Sequence, residues 1–349
     1  MSSASEMAML DIVINGRTVK ADYGMTVLEA AEAEGIYIPT LCHHPLLSKV
    51  GSCRLCAVEV DGKRGLPGAC TLPIEPGMVI HTETPRLQEF RRATLENIIR
   101  THPRDCLTCH ENLRCELQKV VSHIQPTPVP FTPGTPKLKE AGLFFMRDYN
   151  LCVMCGRCIR ACQEVRSNQT LCSMHDNHGL HIGTPLNAPL DNAGCESCGS
   201  CVDVCPTGAL SPNDQAGLYE RIVKTTCPYC AVGCQLNLEI KNDRIMQSTP
   251  DRTGPANRGQ SCVKGHFGIA QFVHSPERLT KPLVRQQDKF QEVSWDVALD
   301  FIATRLKSYL PEETAVVSSA RCTNEENYLA QKFARVALGT NNIDHCARL

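Results

Sequence analysis

Cysteine spacing constrains this chain more than any other feature. The pattern C-x2-C-x2-C-x3-C begins at Cys152 and again 43 residues later at Cys195, within a chain of 349 residues that carries 22 cysteines. Disulfides, zinc and iron–sulfur clusters compete for so many thiols. Disulfides need an oxidising compartment, and therefore export. Residues 1–30 hold no basic stretch followed by an apolar one, and the Arg91-Arg92 pair lies far inside the chain, so no export signal is read. No run of 18 apolar residues exists, so no transmembrane segment is expected. The chain reads as soluble and cytoplasmic, where thiols stay reduced and clustered cysteines bind metal. Lys plus Arg is 36 against Asp plus Glu at 37, a balance that argues against a nucleic-acid wrapper or a polybasic membrane binder.

Each run of the repeat packs three thiols into seven residues. Such a loop wraps one face of a cubane and aims backbone N–H groups at its sulfurs, which offsets the negative charge. In two-cluster ferredoxins the fourth cysteine of each run serves the other cluster. That rule groups Cys152, Cys155, Cys158 and Cys205 in one site, and Cys195, Cys198, Cys201 and Cys162 in the other. Pro206 follows Cys205 as the pattern expects, whereas Gln163 follows Cys162. A pair of zinc sites would be an odd use of this spacing.

Three further sets flank the repeat. Cys42-x10-Cys53-x2-Cys56-x13-Cys70 suits a 2Fe–2S rhomb or a zinc tetrahedron equally well by count, and its spacing departs from the plant-type run. His43 and His44 flank Cys42 and are expected to face solvent, since four cysteines already complete the site. His102-x3-Cys106-x2-Cys109-x5-Cys115 also matches a zinc stoichiometry. In a cubane, imidazole in place of a thiolate would leave less negative charge and ease reduction. The other reading of His102 is a turn residue before Pro103. Cys227-x2-Cys230-x3-Cys234-x27-Cys262 has room for one more 4Fe–4S cluster. The sets use 19 cysteines and His102, enough for five complete sites: one [2Fe-2S] and four [4Fe-4S]. Cys172, Cys322 and Cys346 are left over and read as small apolar packing residues. His175, His178 and His181 read as loop histidines. There is no Gly-x-Gly-x-x-Gly after a strand and no phosphate loop, so a pyridine nucleotide would have to bind a partner.

The local signals place these sets. Asn15-Gly16 between Ile12–Ile14 and Arg17–Val19 predicts a hairpin with a type I′ turn. Thr26 with Glu29 forms a capping box for a helix Val27–Glu34 closed by Gly35. A strand is expected over Leu55–Val60, and a helix from Thr84-Pro85 with Leu87, Phe90, Thr94, Leu95, Ile98 and Ile99 on one side. Residues 124–139 hold five prolines and read as a stiff surface connector and domain boundary. From about residue 294 the texture becomes α/β: a helix Trp295–Leu310, a strand Ala315–Ser319, and a helix capped by Thr323 and Glu326 that ends at Gly339. The chain stops ten residues after Gly339, where the next strand is due, so its end reads as a truncation.

In their order, the first three sets resemble the large peripheral-arm subunit of NADH:quinone oxidoreductase, iron-only hydrogenases and cytoplasmic formate dehydrogenase catalytic subunits. The paired repeat argues against the quinone oxidoreductase subunit, and no Thr-Ser-Cys-Cys-Pro-type motif follows Cys205. The fifth set with Cys262-Val263-Lys264-Gly265 resembles the N-terminal domain of molybdenum or tungsten bis-pterin oxidoreductases. Ser318-Ser319-Ala320-Arg321-Cys322-Thr323-Asn324-Glu325-Glu326-Asn327-Tyr328 and Gly339–Leu349 resemble formate dehydrogenase, so the resemblance covers essentially the whole chain.

The resemblance implies an α+β multidomain architecture. Residues 9–84 would form a β-grasp 2Fe–2S domain, 85–123 a one-histidine, three-cysteine 4Fe–4S domain, and 124–139 a Pro-rich linker. Residues 140–216 would form a two-[4Fe-4S] ferredoxin domain, 220–275 the 4Fe–4S domain of the bis-pterin enzymes, and 276–349 an incomplete α/β molybdopterin domain. It implies formate oxidation or CO2 reduction by the full-length protein at a molybdenum or tungsten bis-molybdopterin guanine dinucleotide. Electrons would leave to a flavin- or NAD(P)-binding or iron–sulfur subunit, a hydrogenase or ferredoxin. Lys264 would sit between the last cubane and a pterin, and Arg321 and Asn324 would contact the pterin. The metal-binding selenocysteine or cysteine would follow Leu349, leaving this chain without a catalytic residue. A selenocysteine codon read as a stop would produce that end, as would deliberate cutting. The alternative is a large iron–sulfur subunit of an NADH:quinone oxidoreductase-like or hydrogenase-linked complex that acts only in electron transfer.

Overall fold

The computed structural model describes residues 9–134, 138–176, 179–213 and 218–345. Helices and strands are mixed, and the chain divides into two compact units between Leu218 and Tyr219.

The first unit opens with the expected hairpin. Asn15 and Gly16 take φ of 50° and 78°, the left-handed pair that a type I′ turn needs, and Met9–Ile14 folds back on Arg17–Asp22. Val79–His81 joins the first strand in parallel and Glu59–Val60 lies antiparallel outside it, giving a mixed four-stranded sheet. The helix Val27–Ala33 buries Val27, Leu28, Ala30 and Ala31 in a shared core with Ile12, Ile14 and Ile80. Its capping box forms as predicted, with Thr26 N–H donating to Glu29 Oε2 at 2.8 Å. A helix held by a mixed sheet is the β-grasp arrangement. The strand expected over Leu55–Val60 shrinks to Glu59–Val60: Cys53–Cys56 is spent on a loop, and Ala57 makes only an isolated bridge to Gly68.

Thr84 caps the helix Pro85–Ile99 by accepting from Leu87 N–H at 3.2 Å. Leu95 from this helix meets Leu41, Leu55 and, from the helix Glu116–Ile124, Leu117 and Val120. The proline-rich segment is tied to the first of these helices: Thr127 N–H donates to Glu96 Oε1 at 3.1 Å, and Thr132 N–H to Arg100 O at 2.9 Å. Val129 is buried there and accepts from Arg104 through its carbonyl, so the segment packs inside the first unit.

A three-stranded antiparallel sheet, Lys139–Ala141, Phe145–Asp148 and Leu210–Pro212, carries the repeat. The helix Arg157–Arg160 runs into a π turn, Ala161–Val165, and the second run contributes the helix Ser200–Asp203. Cys172–Asp176 and Gly179–Gly183 form a hairpin between the runs.

In the second unit Arg221–Thr226, Gln235–Lys241 and Arg244–Pro250 form an antiparallel sheet, followed by a π turn Lys264–Gly268 that continues as the helix Ile269–His274. Ser294 caps the helix Trp295–Leu306, shorter than expected, and Thr323 with Glu326 closes the second capping box on Asn324–Lys332. The reading that the next strand would fall past the end is corrected: Ile343–His345 pairs in parallel with Val316–Ser318. Cys346 lies outside the described residues, as do His178, Pro136 and residues 346–349. Among the described residues no helix is long and apolar enough to cross a membrane.

Candidate metal centres

The repeat in sequence is a repeat in backbone geometry. Met154 and Ser197, each two residues after the first cysteine of its run, take φ of 53° and 51°, and Gly156 and Gly199 follow at 68° and 84°. Both loops thereby turn an N–H onto a sulfur: Met154 N–H to Cys152 Sγ and Ser197 N–H to Cys195 Sγ, each at 3.4 Å. The glycines serve as left-handed N-caps of the two short helices, where a Cβ would be strained.

Two small cavities divide the eight thiols. One, of about 20 Å³, is lined by Cys152, Cys155, Cys158 and Cys205 together with Tyr149 and Ile182. The other, of about 30 Å³, is lined by Cys162, Cys195, Cys198 and Cys201 with Leu171 and Leu190. Each ring takes three cysteines from one run and the fourth from the other. Burial pushes the Cys155 thiol up to about 11 and Cys205 up to about 12, and it raises Cys158 and Cys201 well above the ordinary thiol range.

Cys42, Cys53, Cys56 and Cys70 are brought together at the edge of the β-grasp core, with Cys42, Cys56 and Cys70 buried. Their thiols act on one another in pairs, Cys53 with Cys42, Cys42 with Cys70 and Cys70 with Cys56. The Cys53 and Cys70 thiols hold Cys42 far below the usual thiol range, and Cys70 lowers Cys56 to about 7. Hydrogen bonding to Cys42 drives Cys53 and Cys70 up in turn. Cys53 N–H adds a bond to Cys42 Sγ at 3.4 Å, and Leu41 N–H one to Cys53 Sγ at 3.5 Å. His43 and His44 do not face solvent: both are buried, with His44 Nδ1 accepting from Leu46 N–H at 3.3 Å. The loop that carries them docks through Leu47 onto Ala161 and Val204, which removes both rings from water.

His102, Cys106, Cys109 and Cys115 line one cavity of about 1020 Å³. His102 Nδ1 is buried with no hydrogen-bond partner, and burial lowers the imidazole pKa, so a neutral ring is available as a ligand. Burial raises Cys109 and lifts Cys115 to about 11. His110, not among the expected ligands, lines the same cavity and also has a buried, unpartnered Nδ1. Its position directly after Cys109 was the available signal.

In the second unit Cys227, Cys230 and Cys234 sit in the loop between the first two strands, and Cys262 stands just before the π turn. Burial raises the Cys234 thiol, and Cys227, Cys230 and Cys262 each raise it further. Lys264 lies over the Tyr229 ring, 6.0 Å from its centroid, and both Cys227 and Cys262 act on that tyrosine. Arg321 and Asn324 are exposed at the start of the capped helix, where Arg321 N–H donates to Ser319 Oγ at 3.1 Å. Of the leftover cysteines, Cys172 is half-buried beside Met174 Sδ at 3.4 Å and Cys322 is half-buried.

No group of three or more described His, Cys, Asp or Glu side chains gathers as tightly as a single ion demands. A lone zinc needs its sulfurs ~2.3 Å from one point, whereas the repeat thiols ring cavities. The donor chemistry, rings of buried thiols met by backbone N–H groups, fits polynuclear iron–sulfur centres.

Five families match in succession. The 2Fe-2S iron-sulfur cluster binding domain matches residues 7–85, and the NADH-ubiquinone oxidoreductase-G iron-sulfur binding region matches 91–127. The ferredoxin-like domain of NADH-quinone oxidoreductase subunit 3 matches 142–211. The molybdopterin oxidoreductase Fe4S4 domain matches 220–275, and the molybdopterin oxidoreductase family matches 278–349. The chain joins iron–sulfur domains to a molybdopterin oxidoreductase domain. It is similar over 97 % of its length to oxidoreductase YjgC of Bacillus subtilis (strain 168), a provisional name, at 33 % identity. Over 97 % of its length it is also similar, at 30 % identity, to a protein provisionally named formate dehydrogenase SA2102 in Staphylococcus aureus (strain N315). The chain spans 39 % of the length of each of these relatives. A solved NAD+-reducing [NiFe]-hydrogenase in the H2-reduced state contains a similar chain, with a TM-score of 0.51 and 27 % identity. That similarity covers 62 % of this chain and 92 % of the other.

Proposed function

We propose that this chain is the electron-carrying portion of a formate dehydrogenase, whose full length oxidises formate to CO2, or reduces CO2, at a molybdenum or tungsten bis-pterin centre. The observation that carries the reading is the sorting of the eight repeat thiols into two crossed rings of four, in a chain whose later residues 278–349 match the molybdopterin oxidoreductases. The proposed ligands are Cys42, Cys53, Cys56 and Cys70 for a [2Fe-2S] centre, and His102, Cys106, Cys109 and Cys115 for a [4Fe-4S] centre. Cys152, Cys155, Cys158 and Cys205 would hold a second cubane, Cys162, Cys195, Cys198 and Cys201 a third, and Cys227, Cys230, Cys234 and Cys262 a fourth. Such centres supply one-electron transfer when bound.

The chain's own residues do the rest. The Met154 and Ser197 N–H groups stabilise thiolate charge, and His102 presents a neutral imidazole. Lys264 holds a positive charge over Tyr229, and with Arg321 and Asn324 it would contact a bound pterin. The Cys152 ring has close neighbours on two sides. Cys115 Sγ donates to Pro206 O at 3.5 Å, next to Cys205, and Arg160 reaches from beside Cys158 to Cys42 O at 2.6 Å. Electrons entering from the Cys227 set would cross the repeat and leave by the His102 and Cys42 sets. They would pass to a flavin- or NAD(P)-binding or iron–sulfur subunit, a hydrogenase or ferredoxin.

The hydrogenase similarity favours a second reading, an iron–sulfur subunit that only transfers electrons. The match of residues 278–349 to the molybdopterin oxidoreductases supports the first. Iron and acid-labile sulfide on anaerobically purified protein test the centres. We expect about 18 irons, from one 2Fe and four 4Fe sites, with low-temperature EPR signals on reduction. Zinc with little sulfide overturns the reading.

A further inference from the structure

Two arginines flank Cys158 one turn apart, and each reaches toward a different neighbouring cysteine set. Arg157 and Arg160 begin and end the helix Arg157–Arg160, and both are buried. Arg157 makes a two-pronged bond to Glu116, Nη1 to Oε1 at 2.7 Å and Nη2 to Oε2 at 2.8 Å, and Nη1 also donates to Val204 O. Glu116 directly follows Cys115, so this arm ties the His102 set to the Cys152 ring with its charge neutralised locally.

The Arg160 arm differs in kind. Its Nη2 donates to Cys42 O at 2.6 Å and to Cys155 O at 3.4 Å, and its Nη1 donates to Ser48 O. All three acceptors are carbonyls, and among the described residues no carboxylate forms an ion pair with it. A guanidinium 8 % exposed must still have its charge balanced. The anionic groups placed to do so are the two cysteine sets whose carbonyls, Cys42 O and Cys155 O, it bridges. The loop it grips is held a second time by Glu164, whose Oε2 accepts from Ser48 N–H at 2.7 Å and whose Oε1 accepts from Ser48 Oγ at 2.5 Å.

We propose that Arg160 is a positioning residue shared by two redox centres: one guanidinium fixes the Cys42 loop against the Cys155 loop and is the common counter-charge of both. This rests on the iron–sulfur reading of the two sets. A cation buried between two anionic centres favours the reduced, more negative form of each, so its removal makes both harder to reduce.

The test is an EPR-monitored redox titration of the whole chain, purified anaerobically, as Arg160→Gln and Arg160→Lys. The 2Fe–2S signal is separated from the cubanes by its persistence at higher temperature. Arg160→Gln should lower the reduced-to-oxidised ratio of the 2Fe–2S centre and of one cubane together, by about tenfold at fixed potential, or 59 mV for a one-electron couple. Arg160→Lys keeps the charge and should hold both midpoints to within a factor of two in that ratio. Arg160→Gln with full iron and neither midpoint moved, or with only one moved, overturns the proposal. Should Arg160→Gln fail to load iron, the lysine variant decides: full iron with unmoved midpoints upholds the shared charge, and midpoints lowered in spite of it overturn it. Low iron and sulfide in the unsubstituted protein would instead sink the cluster reading itself.

Discussion

Gly208 gives the sharpest structural test of the His102 set. A Cβ built at this position would lie 2.8 Å from Cys109 Sγ and 3.3 Å from Leu151 Cδ1. Ordinary contact begins near ~3.5 Å, so in Gly208→Ala the sulfur must retreat by roughly 0.7 Å. Cysteine has one side-chain torsion, and the thiol cannot yield that far without turning out of its place. Metal–ligand distances tolerate only ~0.2 Å, so the displacement exceeds what a centre can absorb. Overpacking adds about 1–3 kcal/mol of strain. The expected result is loss of the His102 centre alone, with iron falling by about four of about 18 per chain and one EPR component disappearing. Gly134→Ala, where nothing lies within 4 Å of the new Cβ, is the control and should keep all its iron. Gly208→Ala protein with full iron and an unchanged spectrum would refute the argument that Gly208 exists to make room for Cys109.

Two further outcomes follow from buried charge. Arg157 has a side chain 2 % exposed and its partner Glu116 one 44 % exposed, so the two halves of the pair are unequal. Glu116→Leu strands the guanidinium and should cost about 3 kcal/mol, the low end for breaking a buried pair. Arg157→Met leaves a carboxylate that water can reach and should cost about 1 kcal/mol; equal losses in urea midpoints would contradict this. In the second unit, burial pushes the His266 imidazole down to about 4, against about 6.5 in an unfolded chain. Between those values the unfolded state binds more protons, so stability falls as pH drops through that window. Hydrogen exchange in Arg244–Pro250 should show the slope, and His266→Leu should flatten it; a slope unchanged by the substitution would be inconsistent with this assignment.

What could be read from sequence was chemistry that acts over a few residues. The Asn15-Gly16 turn, the capping boxes at Thr26 and Thr323, and the paired C-x2-C-x2-C-x3-C loops each depend on neighbours in the chain, and each formed. What escaped depends on distant segments. Arg160 and Cys42 are 118 residues apart, and Arg157 and Glu116 are 41 apart, so no spacing announces either bond. His43 and His44 looked like polar flanks of a finished site. They are buried because Leu47 carries their loop onto Ala161 and Val204. The strand Ile343–His345 was missed because a three-residue parallel strand has too little periodicity to register.

The same long-range packing shapes the chemistry of the cysteine rings. In the first unit burial pushes up the Cys155, Cys158, Cys201 and Cys205 thiols, so in a metal-free ring these four stay neutral at neutral pH. Iron binds thiolates, so filling such a ring releases protons and draws on every nearby source of positive potential. The Met154 and Ser197 N–H groups supply part of it, and the two arginines beside Cys158 supply more, since both favour the charged form of Cys155. Burial alone would make these rings poor anion sites. Burial combined with aimed N–H groups and guanidinium charge makes them selective for a centre that brings its own cations. In the second unit burial raises the Cys227 and Cys234 thiols too, and only Cys262 of that set is exposed. The first unit therefore couples its fold to its centres through desolvated charge, and the Cys227 set does so less completely, with one of its four thiols open to water.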